Sequence, residues 1–265
     1  MKYDPIKNIF NLIIKKNPIF RKLFFLLLDI FILRQWYVKK SIKNLMVDSQ
    51  NTLFYDAGAG FCQYSYYMLK KFPQTKVFAT DLKTIYLNDF YTFLNIEQQK
   101  RFSYTTADLQ EYSLINKADL IIAVDILEHI NDDISTIKNF YNSLKQDGYL
   151  IISTPSNLDK AAAFTAEHVR PGYSPNEICD KLINQGFKNI NWKYTYGIWG
   201  KIYWLLVMKT TLKLINYTKY LMIIIPFYFL LIFIPVLICM YFDTITKNPK
   251  GNGIIITAQK KNPIK

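Results

Sequence analysis

Acidic residues recur in this chain at the ends of apolar runs, and the first stands in a glycine turn. The run Leu53-Phe54-Tyr55 ends in Asp56-Ala57-Gly58-Ala59-Gly60, and a helix is predicted to follow from Tyr64 to Phe72. Strand, tight turn and helix in that order form the layout of a nucleotide-type cofactor loop at the first crossover of a parallel sheet. Glycine suits such a turn because a Cβ would block approach of backbone to ligand and would disfavour positive φ. Cys62 stands where a dinucleotide fingerprint has its third glycine, which argues for a smaller adenosine cofactor over NAD. Asp81 closes the next apolar run, Lys76 to Thr80, about 20 residues on. A carboxylate there accepts from both hydroxyls of a ribose. Asp125, Glu128 and His129 follow a later run, Ala118 to Val124. If residues 126–133 open a helix, these three share a face by their i, i+3, i+4 spacing. Two carboxylates and an imidazole on one face are a candidate divalent-cation site.

The elements that must position these residues alternate along the chain. Further strands are predicted at Phe102 to Thr106, ahead of Asp108-Leu109, and at Gly148 to Ser153, ahead of Thr154-Pro155. Strands alternating with helices imply an α/β, doubly wound, mostly parallel sheet. The acids then lie at the strands' carboxyl ends, where ligands bind in such sheets.

DAGAG at 56–60, Asp81 after VFAT, ADL at 107–109, ADLIIAVDILEHI at 118–130 and LKQDGYLIISTP at 144–155 resemble successive motifs of the seven-stranded (class I) S-adenosylmethionine-dependent methyltransferases, in their small-molecule, lipid and quinone branch. The resemblance runs from about Leu53 to Phe187. It implies a seven-stranded sheet with the last strand antiparallel, and S-adenosylmethionine as cofactor. With Asp56 opening the loop, Gly58 and Gly60 would approach the methionine part, Asp81 the ribose, and Asp108 with Leu109 the adenine. Asp125 would lie beside the methyl sulfonium. The Asp125-x-x-Glu128-His129 arrangement is similar to that of ubiquinone-pathway O-methyltransferases, where it is a metal site. His129 is therefore either a ligand of that cation, a base or substrate-orienting group, or a support of the fold. His168 lies in the loop Glu167 to Tyr173, after the fifth strand and before a helix start at Ser174-Pro175-Asn176-Glu177, a capping-box pattern. That loop faces the substrate in this family, so His168 is either a substrate contact or a plain loop residue.

The net charge of +13 is uneven. Residues 1–50 carry 10 basic and 3 acidic side chains, residues 51–190 carry 13 and 16, and residues 191–265 carry 10 and 1. The catalytic core is thus mildly acidic and the positive charge sits on the two ends, where nucleic acid or an anionic membrane could meet it. Three scattered cysteines, Cys62, Cys179 and Cys239, show no C-x-x-C spacing and suggest neither a disulfide framework nor a zinc site. A reducing compartment fits. Met1 to Phe20, broken by charges and prolines, shows no secretory signal.

Residues 19–33 read as an apolar helix too short and too charged to span a bilayer. It is either a lid over the cofactor site or an interfacial membrane helix. Tyr220 to Phe242 is a charge-free run long enough to span, interrupted by Pro226 and Pro235 and flanked by Lys209, Lys213 and Lys219 before and Lys247 and Lys250 after. Gly253 to Lys260 reads as the last strand and Phe187 to Tyr196 as the one before it. If both join one sheet, the chain between them leaves and returns on one side. Lys201 to Phe242 is then an inserted helical pair that dips into one leaflet. A soluble apolar cap or dimer face and a single true span are the alternatives. The expected organisation is an N-terminal helical cap (1–50), the methyltransferase core (51–196), an apolar helical insert (197–250), and the last strand with a tail (251–265).

These readings favour methyl transfer to a lipophilic small molecule, such as a quinol precursor, lipid or lipid-linked metabolite, on the cytoplasmic face of a membrane whose lipids are partners. A nucleic-acid methyltransferase or binder is the competing class. The N/D-P-P-Y/F signature of base amino methylation is absent, and Asp125-Ile-Leu-Glu stands in its place. The aromatic residues track apolar segments rather than basic stripes, so no nucleic-acid partner is expected. A non-catalytic scaffold that kept the fold is the third class. The sequence sets no oligomeric state.

Overall fold

The computed structural model of the protein describes residues 14, 17–46, 51–158, 168–211 and 225–261. Its strands are β1 (Leu53–Ala57), β2 (Lys76–Asp81), β3 (Phe102–Thr106), β4 (Ala118–Val124), β5 (Leu144–Pro155), β6 (Phe187–Thr195) and β7 (Gly253–Lys260). Its helices are α1 (Pro18–Phe31), α2 (Leu33–Leu45), α3 (Gln63–Lys71), α4 (Thr84–Phe93), α5 (Ile96–Gln99), α6 (Asp133–Ser143), α7 (Pro175–Asn184), α8 (Ile198–Trp204) and α9 (Ile225–Ile245). The strands form one sheet in the order β3-β2-β1-β4-β5-β7-β6. Pairing is parallel from β3 to β5, and β7 runs antiparallel to both β5 and β6. The doubly wound sheet with an antiparallel last strand is as the sequence implied.

The central strands are apolar on both faces because both faces are covered. Phe54, Val77, Leu120 and Ile122 pack on one side with Met68 and Phe90, and Tyr55, Ile121 and Leu150 on the other with Phe140 and Leu182. Strand order reverses between β1 and β4. That switch point opens a crevice at the carboxyl ends of the strands, where ligands bind in open sheets.

Two local expectations are corrected. The apolar N-terminal helix stops at Phe31, because Ile32 is extended, and a second helix, α2, follows without a break in the chain. Asn17 caps α1 by accepting from the Ile19 amide, with Pro18 at the first helical position. No helix spans 126–133 either. Leu127–His129 form a single 3-10 turn, and α6 begins only at Asp133, where the Asp132 side chain accepts from the Ser135 amide. A capping aspartate after the turn starts the helix later than the apolar pattern suggested.

Between β6 and β7 the chain forms α8, a π-helical turn over Leu205–Lys209, and α9, which carries Pro235 inside it. Residues 212–224, with Lys213, Lys219 and the start of the charge-free run, lie outside the described residues, as do residues 1–13. Thr195 pairs with Gly253, so the chain leaves and rejoins the sheet at the same point. Asp243, fully buried near the end of α9, fixes the pair to that edge. Its carboxylate accepts from the backbone amides of Tyr196 (3.0 Å), Gly197 (3.0 Å) and Gly200 (2.8 Å) and from Tyr37 Oη of α2 (2.7 Å).

Candidate active site

A cavity of about 610 Å³ lies at the β1/β4 switch point, a size usual for a small-ligand site. The Gly58–Gly60 turn, Asp81, Asp108, Leu109, Asp125 and His129 form its floor and walls. Phe24 and Leu28 of α1, Ile32, and Arg34 and Gln35 of α2 form its roof. The N-terminal helices thus line the cavity opposite the glycine turn.

The turn shows why glycine is required. At Gly58 (φ +73°) a Cβ would stand 2.2 Å from Ile126 Cδ1. At Gly60 (φ +51°) no atom lies within 4 Å of where a Cβ would be. A side chain there would stand in the cradle itself. Cys62, at the third position, takes φ 61°, the left-handed region that favours glycine. The backbone path of a glycine-rich loop thus survives the substitution, at the cost of local strain.

Asp56 does not reach the cavity. It is buried beneath the turn, and Oδ2 accepts from the Ser65 amide (3.1 Å) and Ser65 Oγ (2.7 Å). Burial pushes its carboxyl up to about 7, against the pull of the Ser65 bonds. Asp56 shapes the loop from below, which corrects its expected place beside the ligand. Asp81 stands at the wall, with Oδ2 accepting from the Gly60 amide (2.8 Å) and Oδ1 from Lys83 N (2.9 Å). Each oxygen keeps a second acceptor position for a ligand. Asp108 accepts from the Gln110 amide at 2.9 Å, and Leu109 packs beside it.

Asp125 takes φ 52° at the end of β4. Its Oδ2 pairs with Arg34 of α2. Its Oδ1 is buried without a hydrogen-bond partner. Glu128 turns away from the cavity into the protein, where Oε2 accepts from Thr154 Oγ1 at 3.0 Å and burial pushes its carboxyl up. His129 lines the cavity, and the His168 ring meets it edge-on at 4.6 Å. Donor atoms of Glu128, His129 and His168 all lie within 4.8 Å of one another. The structure thus groups His168, not Asp125, with Glu128 and His129. The i, i+3, i+4 face failed because the helix it assumed is a 3-10 turn.

The residues that follow His168 are held at two places; Glu167 lies outside the described residues. The Val169 amide donates to the Glu128 carbonyl at 2.9 Å. Asp133 Oδ2, at the start of α6, accepts from Arg170 Nη1 (2.7 Å), Tyr173 Oη (2.6 Å) and Lys181 Nζ (2.6 Å). Sequence reasoning missed Asp133, Arg34 and Asp243. Arg34 carried no signal beyond its charge. Asp243 did, as the single acid in residues 191–265.

Residues 55–150 match a family model described as a methyltransferase domain. The fold is that of the class I methyltransferases. A malonyl-[acyl-carrier protein] O-methyltransferase of Priestia megaterium is 28% identical over 131 residues, 45% of this chain and 45% of that one. Phosphoethanolamine N-methyltransferase 2 of Haemonchus contortus, solved with S-adenosyl-L-methionine, superposes with a TM-score of 0.57 at 16% identity, over 83% of this chain and 51% of that one. An S-adenosylmethionine-dependent methyltransferase of Archaeoglobus fulgidus superposes with a TM-score of 0.54 at 13% identity, over 89% of this chain and 99% of that one. The match spans about half the length of the first two relatives. In this fold the cavity residues suit a cationic adenosine cofactor. Three carboxylates face one guanidinium, Gly60 leaves the cradle open, and an orphaned oxygen of Asp125 awaits a donor.

Proposed function

We propose that the protein transfers a methyl group from S-adenosylmethionine to a lipophilic small molecule at a membrane surface. The observation that carries this reading is the cavity itself, with acids and an open glycine cradle below and an apolar roof above. When bound, the cofactor supplies an electrophilic methyl group. The chain's own residues do the rest. Asp81 holds the ribose hydroxyls, Asp108 and Leu109 the adenine, and Gly58 and Gly60 admit the methionine part. Asp125 Oδ1 takes a donor from the cationic end. Phe24, Leu28 and Ile32 exclude water and hold an apolar acceptor in line. His129 removes or orients the acceptor's proton. The proximity of Glu128, His129 and His168 supports a divalent cation as an alternative partner of His129, with the imidazoles and one carboxylate as ligands.

Residues 1–50 serve as the cap, 51–196 with 251–265 as the catalytic unit, and 197–250 as a monotopic anchor on the cytoplasmic face. Phe227–Ile245 is long and apolar enough to cross a membrane, yet only 33% of it is buried. All three cysteines are free, which suits a reducing compartment. Calorimetry with S-adenosylmethionine and its demethylated product tests the cofactor. Absence of binding at millimolar ligand by folded protein would refute it. Profiling a deletion strain for lipids or quinones lighter by one methyl group identifies the acceptor.

A further inference from the structure

A lid that faces water needs one apolar stripe, and α1 has two. Its inner stripe roofs the cavity with Phe24 and Leu28 and buries Phe25. Its outer stripe, Ile19, Leu23, Leu26 and Leu27, recurs at three- and four-residue spacing and is 43% to 68% exposed. That spacing places the outer stripe along one side of the helix. The outer face of α9 is equally bare, with Leu230 and Leu231 at 77% and 78% exposure. The two helices meet at Phe31, whose ring lies 5.5 Å from that of Phe229 and 6.0 Å from that of Phe233. Together these faces exceed the scattered apolar exposure of a water-facing surface.

Charge selects the occupant. The exposed cations Lys22, Lys201, Lys209, Lys247 and Lys250 belong to α1 and to the helical pair and its exit. The acidic excess lies in the core. Apolar side chains flanked by lysines match an anionic lipid surface.

We propose that α1 is a bilayer-embedded lid. Its outer stripe beds in the interface of an anionic membrane while its inner stripe roofs the cavity. A lipophilic acceptor then passes from the bilayer under α1 into the cavity without crossing water. This deepens the membrane reading above and is independent of methyl transfer.

The test uses the full chain in detergent, then on vesicles of phosphatidylcholine with and without phosphatidylglycerol, with brominated lipid as a depth-limited quencher. In Leu23→Trp, the emission added over wild type should be largely quenched on anionic vesicles, and less so in high salt. In Ile134→Trp, at an exposed position on α6, the added emission should stay unquenched. Vesicle flotation without quenching at position 23 would overturn the lid while leaving the membrane reading intact. Loss of flotation would overturn both. A stable dimer in detergent with position 23 shielded from lipid and water would assign the face to a second copy of the chain and overturn the lid as well. Loss of cofactor binding would touch only the methyl-transfer reading.

Discussion

Asp243→Ala should loosen the helical pair from the sheet. The carboxylate is the common acceptor for three backbone amides at the start of α8 and for Tyr37 of the cap. The single Tyr37 hydroxyl proton also lies within reach of the Asp243 main-chain carbonyl, so it keeps an acceptor. The amides of Tyr196, Gly197 and Gly200 lose this acceptor. Each orphaned buried donor costs about 1–3 kcal/mol, and such losses overlap rather than add. Removing one partner from a buried charged network costs about 3–5 kcal/mol. The lower bound of about 3 kcal/mol corresponds to a fall in Tm of roughly 6–12 °C for a domain of this size. Asp243→Asn keeps one acceptor oxygen and turns an NH2 group toward the other donors, so roughly 2 kcal/mol is expected. Thermal unfolding in detergent measures the loss. Hydrogen exchange locates it, with amides 196–203 becoming unprotected first. An alanine variant within about 0.5 kcal/mol of wild type, the range of an ordinary surface substitution, would refute the assignment of Asp243 as the joint.

Asp81→Ala should weaken S-adenosylmethionine binding by about 2–4 kcal/mol, roughly 30- to 1,000-fold, in calorimetry, because the ribose loses charge-assisted acceptors. Gly60→Ala should leave the fold intact at a cost of about 1–2 kcal/mol for the left-handed backbone and abolish cofactor binding; retained affinity would place the ligand elsewhere. His129→Ala should lower turnover on the order of 10²-fold with unchanged cofactor affinity; loss of wild-type activity with chelator would assign it to a cation instead. Asp56 has its carboxyl raised from 3.8 to about 7, so the folded state binds the extra proton between those values. Stability should therefore fall as pH rises across that window, by on the order of 4 kcal/mol at most; Asp56→Asn should flatten the slope in pH-dependent melts, and an unchanged slope would rule Asp56 out as its source.

The sheet was legible because its signals are local. Each central strand is a short apolar run ended by an acid or a turn, and Gly253 to Lys260 was bounded at the residues where β7 begins and ends. The place of Gly58, Gly60, Asp81 and Asp108 along the cavity was legible for the same reason, since they sit at strand ends that the motif order fixes. Three things were not. Asp56 belongs to the motif but serves it from below, and burial is not written in spacing. The 3-10 turn at 127–129 is decided by the Asp132 cap and by the Val169 and Arg170 amides that bond to the Glu128 carbonyl, contacts more than 40 residues apart in sequence. His168 enters the Glu128–His129 group only because Asp133 ties Arg170, Tyr173 and Lys181 together. Long-range polar contacts of this kind leave no periodic trace.

The helix that no sequence signal picked out, α2, joins the parts. Arg34 and Tyr37 lie three residues apart, so their side chains leave the same side of the helix. Arg34 pairs with Asp125 at the reacting end of the cavity, and Tyr37 bonds to Asp243 in the apolar pair. Both partners are carboxylates with little other freedom, Asp125 being set in a left-handed backbone and Asp243 fully buried. One helical turn of α2 thus connects the Asp243 contact of α9 to the Arg34 contact at the cavity. If Arg34 leaves Asp125, the second carboxylate oxygen is freed beside one that already lacks a partner, and the wall becomes more anionic where a cationic ligand sits. Two elements thus meet the cavity wall, α1 through Phe24 and Leu28 and α9 through Tyr37 and Arg34 at the start of α2.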